Sequence, residues 1–167
     1  NDRKGAVKKL KTLAFSSKSE TGAFREKIDR TFYIPVLPNG VEYSEVLYGG
    51  VQCDVLSPEI YASNRVVLYV HGGSFVGGSR AAYRCFCSSL ASKACARLVI
   101  PEFRLAPASP FPAALEDIQS VFKALYTDEQ VASSLGNDKE SPLSTPEFII
   151  AADGSGASIA LALIFNP

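Results

Sequence analysis

Two glycine-rich stretches hold the residues of this 167-residue chain that could do chemistry. His71-Gly72-Gly73-Ser74-Phe75-Val76-Gly77-Gly78 follows the apolar run 66–70, and Asp153-Gly154-Ser155-Gly156 follows a second run, 148–152. Consecutive glycines at the end of a strand let the backbone approach a ligand closely and leave N–H groups free to hold an anion. A phosphate cradle of the P-loop kind requires Gly-Lys-Ser/Thr, and a dinucleotide loop requires an acidic residue downstream. Neither is present, so no cofactor is expected. No metal is expected either: Cys85 and Cys87 lack the spacing of a zinc pair, and His71 is the sole histidine. Buried free thiols are the reading for Cys87 and Cys95, which sit among apolar neighbours and suit a reducing compartment.

The elements that must position these loops alternate. Val51, Cys53 and Val55 alternate with polar residues and stop at Ser57-Pro58, the pattern of a strand. Residues 66–70, 98–101 and 148–152 are short continuous apolar runs, as strands buried on both faces should be. Tyr83, Phe86, Cys87, Leu90, Ala91 and Ala94 recur at helical spacing, as do Leu115, Ile118, Phe122 and Leu125. Residues 158–165 read as an almost wholly apolar helix, and the polar stretch 127–146 reads as a surface loop. Alternating strands and helices predict an α/β fold, with a mostly parallel sheet and helices on both faces. Antiparallel edge strands are expected before residue 60, with Asn39-Gly40 as one turn.

Composition narrows the partners. The chain is 47% hydrophobic and 20% charged, with 17 basic and 17 acidic residues, so no global charge points to nucleic acid or to an anionic membrane. Residues 1–30 hold nine Lys and Arg against four Asp and Glu, a net charge of +5, read as a solvated helix face. The longest apolar run, about nine residues, falls short of the ~20 of a membrane span. The lysines around Val7 and Leu10 interrupt any signal-peptide centre, so a cytoplasmic location is expected.

The two loops and the block Phe103-Arg104-Leu105-Ala106-Pro107, continuing through Pro110-Phe111-Pro112-Ala113-Ala114-Leu115-Glu116-Asp117, resemble the hormone-sensitive-lipase-like branch of the α/β-hydrolases. His71-Gly72-Gly73-Ser74 is similar to that family's H-G-G-G oxyanion loop, and the longer block to its Y-R-L-A-P-E…F-P-A-A-L-E-D signature. The resemblance implies an α/β-hydrolase core truncated after the nucleophile-elbow helix, with strand 66–70 between strands 98–101 and 148–152. Residues 1–45 would form a basic N-terminal helical or cap segment with an edge strand, and residues 46–167 the N-terminal half of the hydrolase domain. It also implies an oxyanion hole made by the N–H groups of Gly72, Gly73 and Ser155, with His71 and Ser74 shaping the loop. Arg104 is expected to bury its guanidinium against Glu116 or Asp117.

One position departs from the family. Its elbow reads G-D-S-A-G, whereas this chain has Ala152-Asp153-Gly154-Ser155-Gly156. Aligned by strand, Asp153 and helix, the nucleophile position is Gly154, and Ser155 falls where the family has alanine. Centring on Ser155 instead would put Asp153 at a flanking position that must be small. The triad order Ser, acid, His places base and acid after the elbow, yet no histidine follows residue 71, so one copy of these 167 residues cannot assemble it. The apolar strand 148–152 would be left as an edge, to be covered by a missing C-terminal half or a partner chain. Two functions are therefore expected as alternatives: a carboxylesterase- or lipase-like hydrolase of small acyl esters, inactive or incomplete as it stands, and a non-catalytic binder of a small ester or carboxylate ligand.

Overall fold

A computed structural model describes residues 2–135 and 145–165. Ten elements follow in chain order: α1 (Arg3–Lys11), α2 (Thr21–Phe32), β1 (Val41–Tyr48), β2 (Val51–Pro58), β3 (Arg65–Val70), α3 (Arg80–Ala94), β4 (Arg97–Pro101), α4 (Ala113–Leu135), β5 (Glu147–Ala152) and α5 (Gly154–Phe165). The five strands form one sheet in the order β1-β2-β4-β3-β5. β3 pairs in parallel with both β4 and β5, so strand 66–70 does lie between the other two. β1 and β2 form an antiparallel hairpin that joins the parallel part through β2 and β4.

Strand periodicity divides the core. Val66, Leu68 and Val70 point to one face, where they meet Ile118, Val121 and Leu125 of α4 and Ile159 and Leu163 of α5. Val67 and Tyr69 point to the other, against Ala82, Tyr83, Cys87 and Ala91 of α3. β3 therefore reads as an unbroken apolar run because each alternate residue has a helix to bury against. The mixed, mostly parallel sheet with helices on both faces agrees with the fold class expected from the sequence.

Several local expectations are corrected. Residues 127–135 continue α4 rather than forming a loop. Their polarity misleads because Glu129, only 6% exposed, puts both carboxylate oxygens within 2.7 Å of Arg97 Nη2 of β4, which satisfies a charge where an apolar residue would be anticipated. The rest of that expected loop, 136–144, lies outside the described residues. Asn39-Gly40 does form a turn, but it precedes β1, and the hairpin itself turns at Gly49-Gly50. Cys87 is buried, whereas Cys95 is exposed, because it caps α3 in the left-handed region with φ +48°. α5 starts at Gly154, four residues earlier than its apolar pattern indicates.

β5 has β3 on one side and no strand on the other among the described residues. Leu161, Ile164 and Phe165 of α5 are all more than half exposed. No helix among the described residues is long and apolar enough to cross a membrane.

Leu68 is fully buried at the centre of the sheet. Leu68→Ala should lower the unfolding free energy by about 2–5 kcal/mol through lost burial and a residual cavity. Urea denaturation checks this as a shifted midpoint at unchanged slope.

Candidate active site

The loop after β3 turns tightly because Gly73 O accepts the N–H groups of Val76 at 3.1 Å and Gly77 at 2.9 Å. Gly73 has φ +127°, and a Cβ there would lie 2.1 Å from Gly77 O, so only glycine fits. The next two residues carry side chains in the same left-handed half of conformational space, Ser74 at φ +57° and Phe75 at φ +64°. Such conformations persist only when the surroundings hold them. Here Phe75 N–H donates to Ser155 Oγ at 3.1 Å, and Phe75 O accepts Ala106 N–H at 3.0 Å. Arg25 of α2 adds a brace: its Nε donates to Val76 O at 2.6 Å and its Nη2 to Ala106 O at 3.0 Å.

His71 lies beneath the loop, 1% exposed and stacked between Phe103 and Tyr83 at centroid distances of 4.4 and 5.2 Å. Its Nδ1 lies 2.8 Å from Gly72 O. A carbonyl only accepts, so Nδ1 carries the proton and Nε2 is a bare lone pair, with no partner among the described residues. Burial holds the imidazole below its ordinary pKa, against the smaller opposing effect of the Gly72 hydrogen bond. Neutral and enclosed, His71 supports the loop's shape.

Asp153 joins the loop to the end of β5. Its Oδ1 accepts Gly72 N–H at 2.9 Å and the Tyr69 hydroxyl at 3.0 Å, and its Oδ2 accepts the Tyr83 hydroxyl at 3.1 Å. Burial first, and then the charge of Asp153, push both tyrosines above the usual phenol range, so they remain donors. The Gly72 N–H is thus already used. Among the described residues the N–H groups of Gly73, Ser74 and Ser155 have no acceptor.

The two glycines of the strand-to-helix turn make different demands. Gly154 has φ +50°, and a Cβ there would meet only Gly72 Cα at 3.6 Å, so the position is strained in backbone but open in space. Gly156 is the opposite: its Cβ would fall 2.1 Å from Val70 O and 2.5 Å from His71 O. The turn thus has a left-handed residue at Gly154 and a forced backbone contact two positions later. Ser155 lies in the first turn of α5, half-buried, with its hydroxyl turned toward Phe75. Beside Phe75, a cavity of about 270 Å³ is lined by Phe111, Leu115 and Ile159 among others.

Sequence reading located both loops but missed Arg25, Tyr69 and Tyr83. Arg25 carried no motif signal, and the tyrosines looked like ordinary core residues. Arg104 pairs with both acids, at 2.8 Å to Asp117 and 3.2 Å to Glu116, but its side chain is half exposed rather than buried. Among the described residues no cluster of His, Cys, Asp or Glu could hold a metal.

The sequence pattern of the alpha/beta hydrolase fold matches residues 67–166, spanning both loops and the segment between them. The chain belongs to the α/β-hydrolase family. Among its relatives are a Mycobacterium tuberculosis protein named as an acetyl-hydrolase, LipR, 31% identical over 126 residues, and an esterase of Acinetobacter venetianus, 27% identical over 123. These alignments cover 75% and 74% of this chain but 37% and 36% of the relatives. A crystal structure of an esterase from the bacterial hormone-sensitive lipase family superposes with a TM-score of 0.74 at 23% identity, covering 98% of this chain and 53% of that one. The chain thus spans about half the length of the solved hydrolases and just over a third of these curated relatives.

The geometry sets two expectations. Gly156→Ala should destabilise the hydrolase fold by about 1–3 kcal/mol through overpacking. Gly154→Ala should cost about 1–2 kcal/mol, for backbone strain alone. Denaturation of the two variants side by side distinguishes steric from conformational cost. His71, with a folded pKa below its unfolded value of about 6.5, contributes stability that is complete above that pH and is lost as pH falls through the folded pKa. An NMR titration of this single histidine should give a midpoint below about 6.5.

Proposed function

We propose that this chain carries the carbonyl-binding part of an ester-hydrolase site and that its elbow holds small acyl esters or carboxylates without attacking them. The observation that carries the reading is Gly154, the left-handed residue at the strand-to-helix turn, which has no side chain to project. Gly73, Ser74 and Ser155 would supply the N–H donors, Ser155 in the part expected of it and Ser74 in place of Gly72. The N-terminus of the twelve-residue α5 favours negative charge at the same place.

The chemistry suggests the ligand. In a serine hydrolase the acyl group is held as an ester of the serine oxygen. Take away that serine's Cβ and what remains in the same space is a carboxylate. The open position at Gly154 has room for its second oxygen. A small aliphatic carboxylate therefore fits the elbow as a stable ligand, and the corresponding ester fits as an unreactive one. A cytoplasmic setting accords with this reading and with the free cysteines.

A second reading is supported by Ser155, whose hydroxyl already lies on the loop, and by the esterase relatives. It makes the whole protein an active hydrolase of small acyl esters, with base and acid supplied by chain outside these 167 residues or by a partner that also covers β5. Against it, His71 is buried with its Nδ1–H donated to Gly72 O, so it is not placed to activate Ser155.

The deciding experiment is p-nitrophenyl acetate hydrolysis by the complete protein in three forms, with amide NMR during titration with butyrate. The native protein and Ser155→Ala should both show only background turnover, while butyrate shifts the Gly73, Ser74 and Ser155 amides. Gly154→Ser should raise the rate where base and acid are supplied. Loss of one oxyanion donor costs about 10²–10³ in rate, so the gain will stay below that of an unmodified esterase if Ser74 distorts the loop. A robust native rate abolished by Ser155→Ala would sink the proposal and make Ser155 the nucleophile.

A further inference from the structure

The loop donors left without an acceptor among the described residues, the N–H groups of Gly73 and Ser74, belong to peptide units whose carbonyl ends are both occupied. In a trans peptide the C=O and N–H point in opposite directions, so a bond that fixes one end aims the other. Behind Gly73 N–H stands Gly72 O, held by His71 Nδ1. Behind Ser74 N–H stands Gly73 O, which accepts Val76 N–H at 3.1 Å and Gly77 N–H at 2.9 Å. Those two N–H groups are backed in turn. Ala106 N–H holds Phe75 O at 3.0 Å, and Arg25 Nε holds Val76 O at 2.6 Å.

A continuous line therefore runs from the guanidinium to an anion donor. It passes from Arg25 to Val76 O, across that peptide to Gly77 N–H, on to Gly73 O, and across a second peptide to Ser74 N–H. Both peptides are trans, so the polarity is kept at each step. A cation at the head of such a chain polarises it, and each bond strengthens the next. Arg25 forms no ion pair among the described residues, so no carboxylate takes up its charge. Its second arm, Nη2 on Ala106 O at 3.0 Å, fixes the guanidinium between the loop and the segment that holds Phe75 O. Phe24 and Ile28, on the same side of α2, pack on Val76 and keep the helix against the loop.

We propose that Arg25 is a positioning residue for the anion site: through two peptide units it fixes the direction of Ser74 N–H and strengthens it as a donor to a bound carboxylate. The proposal rests on the reading that Gly73, Ser74 and Ser155 hold the ligand, but the relay can be measured without one. Every contact in it joins described residues, and none depends on an exposed face. A lysine would bring the charge to one carbonyl without the fork that reaches two segments.

The test is amide NMR of the complete protein, first without ligand and then titrated with butyrate. Arg25→Met keeps an apolar stem and loses the charge and both donors. Without ligand it should move the Gly77 amide most and the Ser74 amide next, and move Gly73, whose carbonyl end is held by His71, least. Butyrate binding should weaken about ten- to a hundredfold, the share of one hydrogen bond to a charged group. Arg25→Lys should lie between this variant and the native protein in both readouts. Lys27→Met removes a cation from the same helix outside the relay and should bind butyrate as the native protein does. An unmoved Ser74 amide or native butyrate affinity in Arg25→Met would overturn the proposal. So would a Gly73 shift as large as that of Ser74, no recovery by Arg25→Lys, or an equal loss of affinity in Lys27→Met. If Arg25→Met does not fold, Arg25→Lys decides alone: smaller shifts in the same order support the relay, and unmoved amides overturn it. If the native protein does not bind butyrate, the reading of the site fails, while the ligand-free Gly77 and Ser74 shifts still decide the relay.

Discussion

The carboxylate of Asp153 ties the end of β3 to the end of β5, and the geometry of both loops depends on it. It accepts the Gly72 N–H, 81 residues away in sequence, together with the hydroxyls of Tyr69 and Tyr83. Three donors to one half-buried carboxylate satisfy a charge that would otherwise be costly to enclose. The two strands are already parallel neighbours, with Val70 opposite Ala152. The Asp153 bonds carry that registration one step past the strands, into backbone that has no ladder of its own. Close approach of β3 and α5 follows, and Gly156 is where the approach leaves no room for a side chain.

Strain in the first loop is distributed in the same way. Ser74 and Phe75 hold left-handed conformations at a cost of roughly 1–3 kcal/mol each, and contacts from three separate segments retain them. Ser155 comes from α5, Ala106 from the segment after β4, and Arg25, through Val76 and Ala106, from α2. The N-terminal helix pair is therefore divided in its attachments. α2 is built into the loop's support, with Phe24 and Ile28 packed on Val76, whereas α1 buries none of its side chains among the described residues.

Much of this was legible because it is local. The unbroken apolar run of β3 and the glycine turn after it, where a Cβ on Gly73 would meet Gly77 O, are each set within a short segment. The same locality explains the misreadings. Polar residues 127–135 look like a loop until Arg97, on another strand, accounts for Glu129. Cys95 looks buried until the helix is seen to end on it in the left-handed region.

The sequence by itself determined the order of strands and helices, the position of both site loops and the absence of a side chain at the elbow. Those features follow from apolar periodicity and from which residues tolerate a positive φ, both properties of short segments. Only the tertiary structure decided which backbone donors remain free. Gly72 and Gly73 are indistinguishable as neighbours in sequence, yet one N–H is spent on Asp153 and the other has no acceptor among the described residues. A hydrogen bond consumes a donor only when its partner is brought within about 3 Å, and for Gly72 that partner arrives from the far end of the chain.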